Sequence, residues 1–373
     1  MKNISLFVLS NLICLCVLAQ SNEIPANGLA YYNGNFHNIK FTRHSIGEND
    51  VQIDILYSGI CHSDFGTLRV SKEESPVVPG HEMIGRISKI GKNVKKFKVG
   101  DLAGVGCMVN SCGKCENCKK DKQQFCLNGT AFTYGGNDPY HGNRIGMGGY
   151  ANLIVVSENF AMTIPKNTDI KRAAPLLCAG ATTWSAIKYA KVKKGDKVGV
   201  AGFGGLGHVA VKYLVDLGAK VTVFDITEDK RADAKRLGAV EYVNMKDSTQ
   251  KNYLKNKFDF IISTIPSDYD PSIYISMLKM ETGELALIGL PLNSTINVFS
   301  MIIPNAHRKV FGSLIAGTKE TQEMLNYSIE HNIYPEVEEI NAIPSEIDKA
   351  YKNIDEGKVK FRYVINMKNL NKN

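Results

Sequence analysis

The sequence predicts an α/β protein of two domains, an irregular and partly open β-barrel followed by a doubly wound parallel sheet. A single hydrophobic core rarely organises a chain of 373 residues, so the length favours two domains. Residues 29–177 are rich in glycine and in short alternating segments separated by turns, which is typical of an irregular barrel. Residues 178–315 alternate strand-like and helix-like segments, which indicates a parallel sheet covered by helices.

The first residues of the chain differ from both domains. Lys2 precedes a mostly apolar run, residues 4–19, and the polar residues 20–23 follow it. This order is typical of a secretory signal peptide with cleavage after Ala19, and the run is short for a transmembrane helix. We therefore predict that residues 1–28 are a leader and that the mature protein, periplasmic or secreted, is not embedded in a membrane. The alternative is a cytoplasmic protein with a retained leader, because the body of the chain needs reduced thiolates.

Four cysteines lie close together in the first domain. Cys112, Cys115, Cys118 and Cys126 have the spacing C-x2-C-x2-C-x7-C, which brings four thiolates into one short lobe. Structural Zn²⁺ is bound by thiolates in such closed tetrahedral sites. Two relaxed disulfides have little room in so short a lobe, and iron–sulfur clusters usually have other spacings. A structural zinc site is therefore expected, with disulfides as the alternative.

A second group of metal ligands is scattered along the chain. Cys61 lies in G-I-C-H-S-D, His81 and Glu82 lie in P-G-H-E-M-I-G, and Cys178 lies in P-L-L-C-A-G. Any one of these residues alone would more often belong to a core than to a site. Two thiolates and one imidazole from three loops would leave the fourth position of a zinc ion open, as in a catalytic site.

Residues 197–225 combine two apolar strands with a glycine-rich turn and a helix between them. Gly202, Gly204 and Gly207 form G-x-G-x-x-G, and the second strand ends at Asp225. Such a βαβ unit binds the pyrophosphate of a dinucleotide at the helix N-terminus, and its acidic residue accepts hydrogen bonds from the ribose. We therefore expect cofactor contacts from Gly202, Gly204, Gly205, Leu206, Gly207 and Asp225.

These motifs resemble one known family. The chain is similar to the zinc-dependent medium-chain alcohol dehydrogenases, in particular the cinnamyl-alcohol-dehydrogenase-like branch that includes bacterial broad-range aldehyde reductases. The likeness extends over nearly the whole chain after the leader. Besides the motifs given above, it includes G-M-G-G-Y-A, A-P-L-L-C-A-G-A-T-T and G-K-V-K-F-R-Y-V-I. It implies a GroES-like catalytic domain of residues 29–177 and 316–373, a Rossmann domain of residues 178–315, two zinc ions per chain and a homodimer.

The resemblance also implies roles for individual residues. Cys61, His81 and Cys178 would bind the catalytic zinc, and Glu82 would lie beneath it, able to approach as ligands exchange. Ser63 would hydrogen-bond to the substrate oxygen.

The resemblance implies roles for three more residues. Asp64 would fix the tautomer of His81, although Asp64 and Ser63 could otherwise belong to a simple turn. Thr182 would pack against the nicotinamide, and His62 would face the pyrophosphate.

The cofactor preference depends on Asp225. A carboxylate there can bind both ribose hydroxyls and repels a 2′-phosphate, which favours NAD(H). The aldehyde-reductase branch usually has a small hydroxyl residue at this place and prefers NADP(H), so the chain departs from its pattern. Lys230 and Arg231 could soften the repulsion, or they could be exposed helix residues. NAD(H) is therefore expected, with NADP(H) as the alternative.

The expected reaction is hydride transfer between an aldehyde and a primary alcohol, with zinc as the Lewis acid. Many relatives have a relay histidine shortly after the aspartate of C-H-[ST]-D, whereas Gly66 stands near that point here. Slow alcohol oxidation near neutral pH is therefore expected, with aldehyde reduction less affected.

The sequence is also compatible with other functions. The chain could be an exported zinc-binding or interaction protein with vestigial activity, or a polyol or formaldehyde dehydrogenase of the same superfamily. The net charge is +8, but the basic residues are dispersed and do not alternate with aromatic ones. A nucleic-acid partner is therefore not expected, and the expected partner is a small aldehyde or alcohol.

Overall fold

The computed structural model describes residues 23–247, 252–291, 293–296 and 307–372. Most of the predicted leader lies outside the described residues. Residues 24–28, however, belong to the first strand, in which Ala26 is buried and pairs with Phe41. Residues 24–28 thus form part of a strand, although Pro25, Asn27 and Gly28 are residues that usually form turns. The predicted leader of residues 1–28 stays a prediction.

The first domain consists of short strands that curl into an irregular barrel. They are β1 (Ile24–Tyr32), β2 (Asn35–Arg43), β3 (Asp50–Gly59), β4 (Met83–Ile90), β5 (Leu102–Val105), β6 (Met108–Ser111), β7 (Thr130–Phe132), β8 (Asn137–Asp138), β9 (Arg144–Ile145), β10 (Leu153–Ser157) and β11 (Ala161–Ile164). Two short helices, α1 (Thr67–Val70) and α2 (Glu116–Lys119), lie between them, as do the 3-10 turns His62–Gly66, Gln123–Phe125 and Glu158–Phe160.

The long strand β3 organises this domain. It pairs with β4 on one side, β10 also pairs with it, and β5 and β11 continue the antiparallel sheet beyond β4. Irregularities in the pairing of β3 with β4 at Gln52/Ile53 and at Ile55/Tyr57 allow the strands to bend. Ile53, Met83 and Tyr150 are fully buried inside.

The second domain alternates helices with strands. Two short elements, α3 (Ile170–Ala173) and the 3-10 turn Ala174–Leu177, lead into it from the barrel. Its own elements are α4 (Ala179–Tyr189), β12 (Lys197–Ala201), α5 (Gly207–Asp216), β13 (Lys220–Asp225), α6 (Arg231–Arg236), β14 (Glu241–Asn244), the 3-10 turn Asn252–Leu254, β15 (Phe260–Ser263), α7 (Ser272–Met277), β16 (Glu284–Leu287) and β17 (Lys309–Gly312).

The strands of this domain form a parallel sheet in the order β14-β13-β12-β15-β16-β17. The order reverses at β12, and ligands of doubly wound sheets bind in the crevice at such a point. The glycine turn follows β12 directly, so the predicted cofactor loop lies at the crevice. The predicted fold class is confirmed.

The end of the chain returns to the barrel. It comprises α8 (Thr318–Glu330), β18 (Val337–Asn341), α9 (Pro344–Asp355), β19 (Arg362–Asn366) and a 3-10 turn (Met367–Lys372). Strand β19 pairs antiparallel with β3, and β18 extends the sheet beyond it. None of the helices in the described part of the chain has the length and apolar composition that a bilayer crossing requires.

The four-cysteine lobe contacts the beginning of α8 through Asp121. Its Oδ2 atom accepts hydrogen bonds from the backbone N–H groups of Lys319 (2.9 Å) and Glu320 (3.3 Å). A Cβ atom on Gly317 would lie 1.8 Å from the carbonyl oxygen of Asp121, so only glycine allows this approach. A side chain of the lobe therefore caps a helix nearly two hundred residues later in the sequence.

We predict that Asp121→Ala lowers the stability of the folded protein by about 1–2 kcal/mol, because two helix N–H groups lose their acceptor. The loss should appear as a lower midpoint in thermal unfolding of the zinc-replete protein. Asp121→Asn is the matched control, since asparagine keeps one acceptor oxygen and tolerates the left-handed backbone at this position (φ 58°). Equal midpoints for wild type and Asp121→Ala would show that the cap contributes nothing.

Candidate active site

Four metal-binding side chains meet at the end of the barrel. The ligand atoms of Cys61, His81, Glu82 and Cys178 all lie within 4.8 Å of one another, and all four residues are buried. Cys61 follows β3, His81 and Glu82 precede the neighbouring strand β4, and Cys178 lies directly before α4. Adjacent strands therefore bring the first three together. Two thiolates, an imidazole and a carboxylate form a donor set that suits Zn²⁺.

The orientation of His81 is fixed by Asp64. The Oδ1 atom of Asp64 lies 3.0 Å from Nδ1 of His81, and its carboxylate also accepts the N–H groups of Cys61 (2.9 Å) and Gly80 (3.2 Å). Burial alone would lower the pKa of His81, but the adjacent carboxylate of Asp64 raises the pKa well above its usual value. The contact with Asp64 places a proton on Nδ1, and Nε2 is the nitrogen that faces the group of ligands.

Two tyrosines continue this arrangement behind Asp64. The hydroxyl of Tyr150 donates to Oδ2 of Asp64 (3.1 Å), and the hydroxyl of Tyr351 donates to that of Tyr150 (3.3 Å). Both tyrosines are buried. Gly80 makes the position of Tyr150 possible, because it has φ 102° and a Cβ atom there would lie 2.5 Å from the tyrosine ring. The sequence motifs alone indicate no role for either tyrosine.

Ser63 lies at the open side of the group. Its Oγ atom donates to Sγ of Cys61 at 3.2 Å and is 3.4 Å from Nε2 of His81. A hydroxyl at this place can turn from the sulfur toward an oxygen atom bound beside the ligands. The geometry thus fits the predicted contact of Ser63 with the substrate oxygen.

Glu82 is paired with an arginine that the sequence analysis did not single out. Nη2 of Arg362 lies 2.5 and 2.6 Å from the carboxylate oxygens of Glu82, and it also donates to the carbonyl oxygen of Ile60 at 3.0 Å. Burial raises the pKa of Glu82 to about 8, against the opposing effect of Arg362. A Cβ atom on Gly59 would lie 2.1 Å from Oε2 of Glu82, so this glycine leaves the space that the carboxylate occupies.

The second predicted zinc site is also assembled. The sulfurs of Cys112, Cys115, Cys118 and Cys126 lie within 4.8 Å of one another, at 3.9 Å for Cys112–Cys118 and 4.0 Å for Cys115–Cys126. Bonds of about 2.3 Å to a tetrahedral Zn²⁺ would separate sulfurs by about 3.8 Å. The four residues are separate thiols rather than disulfides.

Hydrogen bonds prepare this lobe for thiolate charge. The N–H groups of Cys115 and Cys118 point at the sulfurs of Cys112 (3.3 Å) and Cys115 (3.5 Å). A hydrogen bond from Asn128 lowers the pKa of Cys112 to about 5. The chemistry of the donor set therefore fits a closed zinc site, as the spacing predicts.

The glycine turn has the shape that a dinucleotide requires. Gly202 has φ 86°, and a Cβ atom on Gly207 would lie 2.0 Å from the carbonyl oxygen of Gly202, so helix α5 can begin close against the strand. A Cβ atom on Gly204 would meet nothing within 4 Å. Leu206 precedes the helix without a side-chain cap. An anion can therefore approach the helix N-terminus.

Arg362 also reaches this turn. Its Nη1 atom lies 3.3 Å from the position that a Cβ atom on Gly205 would occupy. Its Nε atom is buried and makes no hydrogen bond within the described residues. Arg362 is thus a buried cation with one unused hydrogen-bond donor, and it lies beside a predicted phosphate-binding turn. This arrangement fits the binding of a dinucleotide.

Asp225 is more firmly held than the sequence suggests. Its Oδ2 atom accepts the N–H of Phe203 (2.7 Å), and its Oδ1 atom accepts those of Ile226 (2.7 Å) and Thr227 (3.3 Å). The residue is 9% exposed. The carboxylate of Asp225 therefore stabilises the glycine turn, and the same carboxylate lies at the predicted ribose position.

The two cations after Asp225 differ in their surroundings. The guanidinium of Arg231 is bound by the carboxylate of Glu228 (2.7 Å) and by the carbonyl oxygen of Tyr242 (2.7 Å). Lys230 stands at the N-terminus of α6, half-buried. Of these two cations, Lys230 is therefore the one whose charge is more available to a ligand.

The remaining predicted contacts lie in different settings. Thr182 is buried in the first turn of α4, one helical turn after Cys178. His62 is exposed and stacks on Phe65. His208, for which a helix-capping role is an alternative to phosphate binding, is fully buried, with Nδ1 3.0 Å from the carbonyl oxygen of Gly204. Its Nε2 atom accepts the N–H of Glu336 at 3.2 Å, so the ring connects the glycine turn to a distant part of the chain.

Two sequence-family models match the chain. One describes an alcohol dehydrogenase GroES-like domain and matches residues 47–166. The other describes a zinc-binding dehydrogenase and matches residues 205–329. The first match contains the four-cysteine lobe, and the second begins within the glycine turn.

Curated relatives and solved structures resemble the chain over most of its length. A probable formaldehyde dehydrogenase, AdhA, of Bacillus subtilis is 40% identical over 95% of this chain and 100% of its own length. An NADP-dependent alcohol dehydrogenase C of Mycolicibacterium smegmatis is 41% identical, covering 88% of this chain and 93% of its own. The structure of a Helicobacter pylori CAD complexed with NADP(H) superposes with a TM-score of 0.87 at 49% identity, covering 93% of this chain and 99% of that one.

We predict that Tyr150→Phe weakens the retention of the catalytic zinc about ten- to hundredfold, because Asp64 loses a donor that holds it against His81. Zinc release to a chelator, measured over time, should show one zinc per chain leaving faster. Tyr213→Phe is the matched control, since it removes a buried hydroxyl that pairs with Ser328 at 2.6 Å in the other domain. Similar release from both variants would contradict the role of Tyr150.

Proposed function

The chain belongs to the zinc-dependent medium-chain alcohol dehydrogenases, in the cinnamyl-alcohol-dehydrogenase-like branch, and we propose that within this family it mainly reduces aldehydes to primary alcohols with NADH. The observation that carries the proposal is the convergence of Cys61, His81, Glu82 and Cys178 next to the glycine turn, to which Arg362 connects them. When bound, the zinc would polarise the carbonyl oxygen and the nicotinamide would supply the hydride.

The side chains around the ligands have separate tasks. Ser63 would donate its hydroxyl hydrogen to the substrate oxygen, as its position 3.2 Å from Cys61 allows. Asp64 holds the ring of His81 in one orientation. Arg362 holds the carboxylate of Glu82 by two short contacts, which keeps this potential ligand 3.8 Å from Nε2 of His81. One coordination position would thereby stay available to the substrate.

The proposed preference for reduction rests on Gly66. The position is exposed, and a Cβ atom there would meet nothing within 4 Å. No side chain at this place can pass the alcohol proton from Ser63 to solvent. Oxidation of an alcohol must release that proton, so it is slowed most near neutral pH, whereas reduction takes a proton up.

The proposed preference for NADH rests on Asp225. Its carboxylate is held in place by three backbone N–H groups and cannot turn away from a 2′-phosphate. NADP(H) is the alternative, because a 49% identical protein has been solved with NADP(H). The freedom of Lys230 would favour that alternative.

Formaldehyde reduction or oxidation is a second candidate activity. It is suggested by the Bacillus subtilis relative, which is named a probable formaldehyde dehydrogenase and whose whole length matches this chain. We further propose that the mature protein is an exported homodimer. Export would be contradicted by N-terminal sequencing that finds Met1 or Lys2 on protein from the cell interior alone.

The function is tested by mixing zinc-replete protein with NADH or NADPH and with benzaldehyde, cinnamaldehyde, butyraldehyde or formaldehyde. Loss of the reduced nicotinamide absorbance with an aldehyde supports the proposal. Turnover of formaldehyde alone would support the second candidate. No turnover of any aldehyde by protein with a full zinc content would instead indicate a binding protein with vestigial activity.

We predict that Asp225→Ser raises the ratio of kcat/KM for NADPH to that for NADH at least about tenfold, equivalent to about 1.4 kcal/mol. Serine removes the charge that repels the 2′-phosphate, and it can still accept one backbone hydrogen bond. Asp229→Ser is the matched control, because it removes an exposed carboxylate from the same loop. An unchanged ratio in Asp225→Ser would exclude this carboxylate as the cofactor discriminator.

We predict that Gly66→His increases alcohol oxidation below neutral pH, because an imidazole can relay the proton from Ser63 to solvent. The pH profile of kcat for oxidation and reduction, measured for both proteins, checks this. Gly66→Gln is the control for side-chain size. Equal profiles for the histidine and glutamine variants would show that the proton leaves by another route.

A further inference from the structure

A third group of metal-binding side chains lies outside both zinc sites. It consists of His44, Asp50 and His141, whose ligand atoms all lie within 4.8 Å of one another. His44 follows β2, Asp50 begins β3, and His141 lies between β8 and β9. Oδ2 of Asp50 is 3.8 Å from Nδ1 of His44 and 3.7 Å from Nε2 of His141. Three separate chain segments thus present two imidazoles and one carboxylate to the same space.

A fourth residue orients His141. Oδ2 of Asp138 lies 2.6 Å from Nδ1 of His141, so Nδ1 donates its proton outward and Nε2 faces Asp50. Asp138 is itself fixed, because its other oxygen accepts the N–H of Tyr140 at 2.8 Å. A carboxylate on the far nitrogen of a histidine is the usual support of a metal ligand. Asp64 supports His81 in the same way in the candidate active site.

The charges of this group favour a cation. Asp50 and Asp138 are both buried, and among the described residues no lysine or arginine forms an ion pair with either. Nδ1 of His44 donates to the carbonyl oxygen of Ser45 at 2.9 Å, so the lone pair that can bind an ion is on Nε2. Two buried carboxylates therefore face two imidazoles and leave negative charge that a bound ion would offset.

The two imidazole rings are stacked, with centroids 4.1 Å apart and planes 10° from parallel. A ring nitrogen binds an ion in the plane of its own ring, so the stacked rings cannot both point at one ion. One ring must turn about its Cβ–Cγ bond when the ion enters. About a fifth of each side chain is exposed, 21% for His44 and 22% for His141, which leaves room for this rotation.

We propose that a divalent transition-metal ion binds between His44, Asp50 and His141, with Asp138 as the support of His141. A set of two imidazoles and one carboxylate, without thiolate, suits Zn²⁺, Co²⁺, Ni²⁺ or Cu²⁺ and leaves a position for water. The ion would connect the β8–β9 hairpin to the end of β2 and to the start of β3. Its role would be to stabilise this part of the barrel.

The test measures zinc per chain after dialysis of the full-length holoprotein against buffered free Zn²⁺. Wild type should bind one equivalent more than His141→Gln and one more than His44→Gln. Asp138→Asn, which keeps the size of the side chain, should weaken this equivalent about ten- to hundredfold. Because the result is a difference between variants, it does not depend on how fully the two other sites are occupied.

His331→Gln is the matched control. His331 also pairs with a carboxylate, Asp216 at 2.9 Å, but it belongs to no group of three ligands in the described residues. This variant should keep the extra equivalent. Added zinc should also raise the thermal unfolding midpoint, and this rise should be larger in wild type and His331→Gln than in His141→Gln. Equal zinc content in wild type, His44→Gln and His141→Gln, or loss of the equivalent in His331→Gln, would overturn the proposal.

Discussion

The buried ion pair between Arg362 and Glu82 connects the parts of the structure on which the active site depends. Arg362 belongs to β19, a strand of the barrel that the chain reaches only after completing the second domain. From there it binds Glu82 beside the ligand His81, and the carbonyl oxygen of Ile60 beside the ligand Cys61. Removing one partner of such a pair leaves a buried charge without compensation, at a cost of about 3–5 kcal/mol. The return of the chain to the barrel is thus a condition for the geometry of the ligands as well as for the fold.

The polar side chains behind the ligands form a second constraint, centred on Asp64. Its carboxylate collects the N–H groups of Cys61 and Gly80, the ring of His81 and the hydroxyl of Tyr150. Two ligand-bearing loops are thereby tied to a single side chain. In an apolar surrounding a partly satisfied network of this kind would cost stability, whereas a satisfied one fixes a single arrangement. The arrangement of the ligands therefore depends on hydrogen bonds made behind them by a buried carboxylate.

The sequence predicted features that depend on local spacing and missed those that depend on distant contacts. The glycine turn and the four-cysteine lobe are each encoded within fewer than twenty residues, and the structure assembles both near the expected places. Arg362, Tyr150 and Tyr351 could not be assigned in this way, because their partners lie far away in the sequence. The one local sign was an arginine inside an apolar strand, F-R-Y-V-I, where a buried charge requires a partner. The motif around it was recognised, but without the fold its partner could not be named.

Asp225 shows how a residue of the fold can restrict the choice of ligand. Its carboxylate stabilises the glycine turn through Phe203 and the following turn through Ile226. A negative charge held by the backbone cannot move aside when a cofactor arrives, so a 2′-phosphate would need a compensating cation close by. Arg231 is already bound by Glu228, which leaves that task to Lys230. Under the proposed preference, selectivity between the two nicotinamide cofactors would thus depend on the fixed charge of Asp225 and on whether Lys230 lies close enough to compensate it.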